Sequence, residues 1–249
     1  MTTTPVEALI ETTRDAIFDQ AFKDDAFCLS RSIHHHAELA FKEVQSSKLL
    51  ADYLESKGFA VERGVSGLET AFVARFSLDK PGPSVAYISE FDALKDIGHA
   101  CAHNLIAISG VAAAIGAKAC MEKHELGGTI LLIGTPGEEG GAGKIIMLKD
   151  EHGPSPPFRG VDAVLMLHGS GSNTAQYSTL ASQRISLEFF GKASHAAGAP
   201  HLGINALDAA NLAYTGVGLL RQHIRDKERI HGIITSGGQA ANVVPDHTT

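Results

Sequence analysis

Apolar positions along the chain follow helical spacing at first and strand-like spacing later. Leu9, Ile10, Ala16, Ile17, Phe18, Ala21 and Phe22 predict one helix over about residues 5–30. A second helix is predicted over about 42–56, with Val44, Leu49, Leu50, Tyr53 and Leu54 on one face and Gly58 closing it. Short strands follow at 59–63 and 70–76 around a glycine turn at Gly64 and Gly67, and Val85 to Ile88 reads as a buried strand after the turn Pro81-Gly82-Pro83.

Beyond this point strands and helices alternate. Residues 104–122, rich in Ala, Gly and Ile, predict a helix able to lie close against a sheet. Residues 128–134 form a continuous apolar run, as in the interior of a parallel sheet, and 161–167 predict another buried strand after a short helix at 143–149. This order implies an α/β layer, a mainly parallel sheet sandwiched by helices. After Gly171 the pattern changes. Residues 184–190 alternate as a half-wet strand, 204–225 form a long amphipathic helix, and 230–236 and 239–245 are extended. The expected organisation is a domain over 1–178 and a smaller α+β unit over 179–249.

Composition narrows the function without naming it. The 249 residues carry a formal net charge of −7, which argues against a nucleic-acid partner. The first residues lack the basic and apolar segments of a secretory signal, and no apolar run approaches the roughly 20 residues of a membrane span. Three scattered cysteines do not make a disulfide framework, so the expected location is the cytoplasm. Thirteen histidines are many for this length, and they matter only where some converge.

Convergence is what the motifs suggest. Glu90-Phe91-Asp92-Ala93-Leu94 directly follows one predicted strand, Thr135-Pro136-Gly137-Glu138-Glu139-Gly140-Gly141 a second, and His168-Gly169 a third. Cys101 and His103 stand where the small-residue helix begins. In open α/β sheets ligands bind beyond the carboxyl ends of the strands, so these groups are expected to share one rim. Singly, each has an ordinary explanation as packing or a solvated pair. Together, a thiol, two imidazoles and two adjacent carboxylates predict a metal site. One glutamate would bind the ion and its neighbour would accept a proton from water. The helix N-terminus is expected to favour the Cys101 thiolate.

These residues resemble the aminoacylase, carnosinase and glutamate-carboxypeptidase family of co-catalytic zinc peptidases. The resemblance rests on the segments just quoted, on His34-His35-His36 with Glu38-Leu39, on Ser194-His195, on Gly203-Ile204-Asn205 and on Asn242-Val243-Val244-Pro245. The short link from Asp92 to Gly98, and Asn104, look closest to the branch of p-aminobenzoyl-glutamate hydrolase and β-alanyl-lysine dipeptidase. It implies a metal-dependent amidohydrolase or dipeptidase acting on a small N-acyl amino acid or dipeptide. Cys101, His103, Glu139 and His168 would hold two divalent ions, Zn first, with Mn or Co as alternatives. Glu138 would be the general base, and Asp92 would orient a ligand. The smaller unit would be a lid through which two copies dimerise, with His195 stabilising the oxyanion and Asn242 touching substrate. The histidine run 34–36 is expected to be structural.

The sequence departs from that pattern at Ala37, Lys95 and Ala102, where Pro, Pro and Gly are usual. Ala102 matters most, since a position needing positive φ would strain alanine and displace both neighbouring ligands. Relatives also continue well past the position equivalent to Thr249 and supply one more metal-binding histidine. The expectation is therefore a truncated chain, with a non-catalytic, dimerising or regulatory protein as the alternative. A cysteine or serine hydrolase built on Cys101 or Ser194 has no accompanying base and orienting residue.

Overall fold

The computed structural model describes residues 5–175 and 178–249. It divides into two compact units, one running to Ser172 and the other Asn173–Thr249. The boundary expected at 178/179 adjoins residues 176 and 177, which lie outside the description.

The first unit opens with two helices where the apolar spacing predicts one. Helix α1 spans Val6–Phe18 and α2 spans Gln20–His36. The break is at Asp19, whose ψ of 140° is not helical and whose carboxylate accepts from the N–H groups of Ala21 and Phe22. An aspartate so placed caps a new helix rather than continuing an old one. Helix α2 ends at Ala37 in the left-handed region, φ 44°, a conformation proline cannot adopt. Helix α3, Val44–Ser56, follows close to its predicted span.

Strands β1 (Ala60–Arg63), β2 (Phe72–Ser77), β3 (Ser84–Glu90), β4 (Thr129–Thr135) and β5 (Ala163–Leu165) form one sheet in the order β1-β2-β4-β3-β5. Strands β3, β4 and β5 run parallel, as the alternating pattern predicts, while β1 with β2 and β2 with β4 are antiparallel. The reason is local: β1 and β2 are joined by a short connection, which suits an antiparallel pair, whereas a parallel pair needs a crossover such as α4 (His103–His124).

Helices cover both faces. On one, α2, α3 and α4 bury Ile33, Leu50, Leu54 and Val111 against Phe72, Ile130 and Leu132. On the other, Met147 of α6 (Gly143–Lys149) packs with Val73, Ile88, Leu131 and Ile133. Helix α4 comes so near β3 that a Cβ at Gly110 would stand 2.8 Å from the carbonyl oxygen of Ile88. By length and composition α4 could also cross a membrane. Here it is a core helix, with Ala107, Val111 and Ala114 fully buried.

Strand β5 departs from expectation. The apolar run at 161–167 predicts burial, yet Val164 and Leu165 are 48% and 52% exposed. The strand lies at the sheet edge and, among the described residues, pairs only with β3.

The second unit is sparser than predicted. Its helix α7, Ala206–Leu220, is capped by the Asn205 side chain, which accepts from the N–H groups of Leu207 and Asp208. Two small antiparallel ladders accompany it: β6 (Phe189–Phe190) with β9 (His247–Thr248), and β7 (Ser194–His195) with β8 (Val243–Val244). The long strands expected at 184–190 and 230–236 do not form. An extended segment becomes a strand only where a partner matches it, and the described partners are two residues long.

Candidate metal centre

The site is built at the carboxyl ends of β3 and β4 and at the start of α4. Strand β3 delivers Glu90 and, two residues on, Asp92; both are about 1% exposed. Their register is fixed by β4, which places Glu90 beside Thr135. Strand β4 runs into Pro136 and Gly137, and the single-turn helix α5, Glu138–Gly141, begins there. Gly137 has φ 66°, and both it and Gly141 lie against the Phe41 ring, which a Cβ at Gly141 would overlap. The glycines thus let the turn carrying Glu138 and Glu139 settle onto an aromatic floor.

His103 is the hub. Its Nδ1 lies 2.8 Å from the Asp92 carbonyl oxygen and 3.1 Å from Asp92 Oδ1. Both partners are acceptors, so Nδ1 carries the proton and Nε2 presents a lone pair. That Nε2 is buried and has no hydrogen-bond partner. Around it stand Glu90 Oε2 at 3.6 Å, Glu138 Oε2 at 3.8 Å and Glu139 Oε1 at 3.8 Å. Two triads of ligand atoms result, each within 4.8 Å of one another: Glu90, His103 and His168, and His103, Glu138 and Glu139. Glu90 Oε2 and Glu139 Oε1 are likewise buried without partners. Buried oxygens and a lone pair left unsatisfied around one point are costly unless something electropositive joins them. An imidazole lone pair and carboxylate oxygens suit a divalent cation, so the residues fit a metal.

Asp92 holds the arrangement together. Its Oδ2 accepts from the N–H of Glu139 at 2.9 Å while its other oxygen engages His103. Burial would raise its pKa, but the bonds from His103 and from the backbone of Glu139 take it below the usual range. In His103 burial would lower the pKa, and the contact with Asp92 reverses this and raises it. Burial, then the charge of Glu139, pushes Glu138 above an ordinary carboxylate. Such a group is better suited to shuttling a proton.

The other predicted residues fall in three places. Cys101 is exposed at the edge of the cluster, and its thiol bonds to Glu139, yet it joins neither triad among the described residues. The hydrogen bond to Glu139, burial and the nearby carboxylates push the thiol up to about 11, against the expectation that the helix start would favour the thiolate. His168 is exposed just beyond β5, with its ring 6.1 Å from that of His103. His195 and Asn242 belong to the second unit, where β7 and β8 bring them together: Ala196 N–H donates to the Asn242 carbonyl oxygen at 2.9 Å. The Nδ1 of His195 accepts from the N–H groups of Ala197 and Gly198, so its Nε2 carries the proton and points away as a donor.

Sequence reasoning missed Glu90 and Lys144. Lys144, in α6, forms an ion pair with Glu90 Oε1, and burial lowers its pKa to about 8. The signal for Glu90 was its parity along β3: it shares a face with Ala86 and Ile88, the face that α6 covers. Ala102 has φ 61°, so the position where glycine is usual does require the left-handed region.

Known proteins resemble this chain in sequence and in fold. No family model matches the chain. The Xaa-Arg dipeptidase of Mus musculus is 40% identical over 230 residues, covering 88% of this chain and 52% of that protein. A p-aminobenzoyl-glutamate hydrolase polypeptide of Escherichia coli is 40% identical over 235 residues, covering 87% and 47%. The chain therefore spans about half the length of the curated relatives it matches. In fold it resembles an aminobenzoyl-glutamate utilization protein from Klebsiella pneumoniae, with a TM-score of 0.61 at 20% identity over 96% of this chain and 67% of that one. It also resembles a dinuclear metal-binding peptidase of the M20 family from Bacillus subtilis, with a TM-score of 0.57 at 23% identity over 92% and 63%. In sequence the chain is thus a homologue, over about half their length, of an Xaa-Arg dipeptidase and a p-aminobenzoyl-glutamate hydrolase polypeptide, which is consistent with the aminoacylase, carnosinase and glutamate-carboxypeptidase family that its motifs resemble.

Proposed function

We propose that this protein hydrolyses the amide bond of a small N-acyl amino acid or dipeptide. The observation that carries the reading is the set of buried, unpartnered ligand atoms on Glu90, His103 and Glu139, converging beside the more exposed Glu138. Divalent ions held by His103, Glu139, His168 and the Cys101 thiolate would polarise the amide carbonyl and acidify water. We favour zinc because the Cys101 thiol, which a bound ion would deprotonate, lies at the edge of the cluster, with manganese and cobalt as alternatives.

Each protein group then has a task. Asp92 keeps the His103 proton on Nδ1, so that Nε2 faces the ion. Glu138, raised by burial and by Glu139, takes a proton from the attacking water and passes it to the leaving nitrogen. His195 offers the Nε2 proton that its turn enforces, and Asn242 sits beside it on the same ladder; both suit contacts to the carbonyl oxygen or carboxylate of a substrate. We further propose a homodimer through the 179–249 unit acting as a lid, with 1–178 as the catalytic domain. Three cysteines free of disulfides fit a reducing, cytoplasmic location. The non-catalytic alternative has no comparable support, since the relatives quoted are named for hydrolysis.

The test pairs two substitutions. Glu138→Gln should abolish release of amino acid from a panel of N-acyl amino acids and dipeptides while retaining metal. Glu139→Gln should lose metal as well. Equal turnover by wild type and Glu138→Gln would remove the reading.

A further inference from the structure

Glu43 is a carboxylate without exposure and, among the described residues, without an ion-pair partner. It sits at the entry of α3, where an acidic residue normally faces water. Instead it turns inward, closes on its own segment and binds two distant pieces of chain. Oε1 accepts from the N–H of Phe41 at 3.0 Å and from the N–H of Gly137 at 2.8 Å, and Oε2 accepts from the Thr70 hydroxyl at 2.9 Å. A charge so placed would be expensive if its only purpose were packing.

Its partners explain the placement. Gly137 immediately precedes Glu138, and the next N–H but one, that of Glu139, is held by Asp92. The N–H groups on either side of Glu138 are therefore each pinned by a buried carboxylate, one from β3's end and one from the entry of α3. The same short segment also supplies Phe41, whose ring lies under Gly137 and Gly141. Residues 41–43 thus act as a clamp on the turn from outside the metal cluster, and Glu43 is in neither ligand triad.

We propose that Glu43 is a positioning residue: through Gly137 it sets where the Glu138 and Glu139 carboxylates stand. The role in turnover rests on the reading of those two residues as base and ligand; the placement of the turn does not. Asp92 contacts the hub imidazole directly, whereas Glu43 reaches the turn through the backbone N–H of Gly137. Its loss should therefore loosen the turn and leave the rest of the sheet as it is.

The experiment compares the full chain with Glu43→Met, which fills the space and accepts nothing, and with Glu43→Gln, which still presents an oxygen to Gly137. Amide hydrogen exchange is read across residues 137–141 and, as a reference that Glu43 does not touch, across α1, and cobalt(II) is titrated with its visible spectrum recorded. Glu43→Met should speed exchange at 137–141 but not in α1, weaken cobalt binding by about tenfold and alter the spectrum. Glu43→Gln should restore all three. If Glu43→Met does not fold, Glu43→Asp, one methylene short of Gly137, takes its place in the same comparison. A folded variant with wild-type exchange at 137–141 overturns the proposal, as does a loss that Glu43→Gln fails to rescue. If the wild type binds no cobalt or hydrolyses no amide, the hydrolase reading falls, and exchange at 137–141 still decides the role of Glu43.

Discussion

Asp92 meets His103 twice, through its backbone carbonyl oxygen at 2.8 Å and its side-chain oxygen at 3.1 Å from the same ring nitrogen. Such double engagement fixes both the tautomer and the tilt of the imidazole. Asp92→Asn keeps the shape but can turn an amide N–H toward a nitrogen that must itself donate. Metal affinity should fall by about 10- to 100-fold, measured by competition with a chromophoric chelator. Wild-type affinity in that variant would mean that the imidazole is oriented by packing alone.

Ala102 starts α4 with φ 61°, between the thiol and the imidazole of the site. Glycine has no Cβ to be crowded there. Ala102→Gly should stabilise the fold by about 1 kcal/mol, or roughly 2–4 °C in Tm for a chain of this size, without loss of metal binding. A lower Tm would show that the left-handed residue carries no strain.

Gly141 and Phe41 should behave as a coupled pair. A methyl at Gly141 would overlap the Phe41 ring. Gly141→Ala alone should cost about 1–3 kcal/mol through overpacking, and most of that should vanish in a Phe41→Leu background. Additive losses in a denaturation-based double-mutant cycle would argue that the ring simply swings away.

Burial raises the Glu43 pKa although its hydrogen bonds to Thr70, Gly137 and Phe41 oppose the shift. A carboxyl group whose pKa is higher folded than unfolded supports folding below its unfolded value, and that support is lost as pH rises through the folded value. Glu43→Gln, which cannot ionise, should therefore gain stability relative to wild type on going from pH ~4 to pH ~7. Denaturant midpoints at both pH values would check it; a constant difference would contradict it.

Much of this site could be read from sequence because its residues sit directly beyond apolar runs. Glu138, Glu139 and His103 each follow a strand or open a helix whose pattern is unambiguous. Glu43 and Lys144 gave no such signal. An acid at a helix entry and a lysine in a short helix are the ordinary marks of a solvated surface; in the fold Glu43 is buried and the half-buried Lys144 reaches Glu90. The Asp19 break was legible in principle, since aspartate is a preferred cap, but the apolar residues on both sides suggested continuity. The exposed β5 and the short ladders of the second unit reflect pairing, which depends on partners that a local pattern cannot name.

The ladder between β3 and β4 sets more than sheet geometry. Ser89 lies under α4 while Glu90, one step further, reaches the opposite face and Lys144. A single-residue insertion within β3 would exchange those two directions and turn the carboxylate away from the imidazole. Because the notch at Gly110 leaves α4 no room to follow such a shift, the chain would have to choose between its core and its metal chemistry.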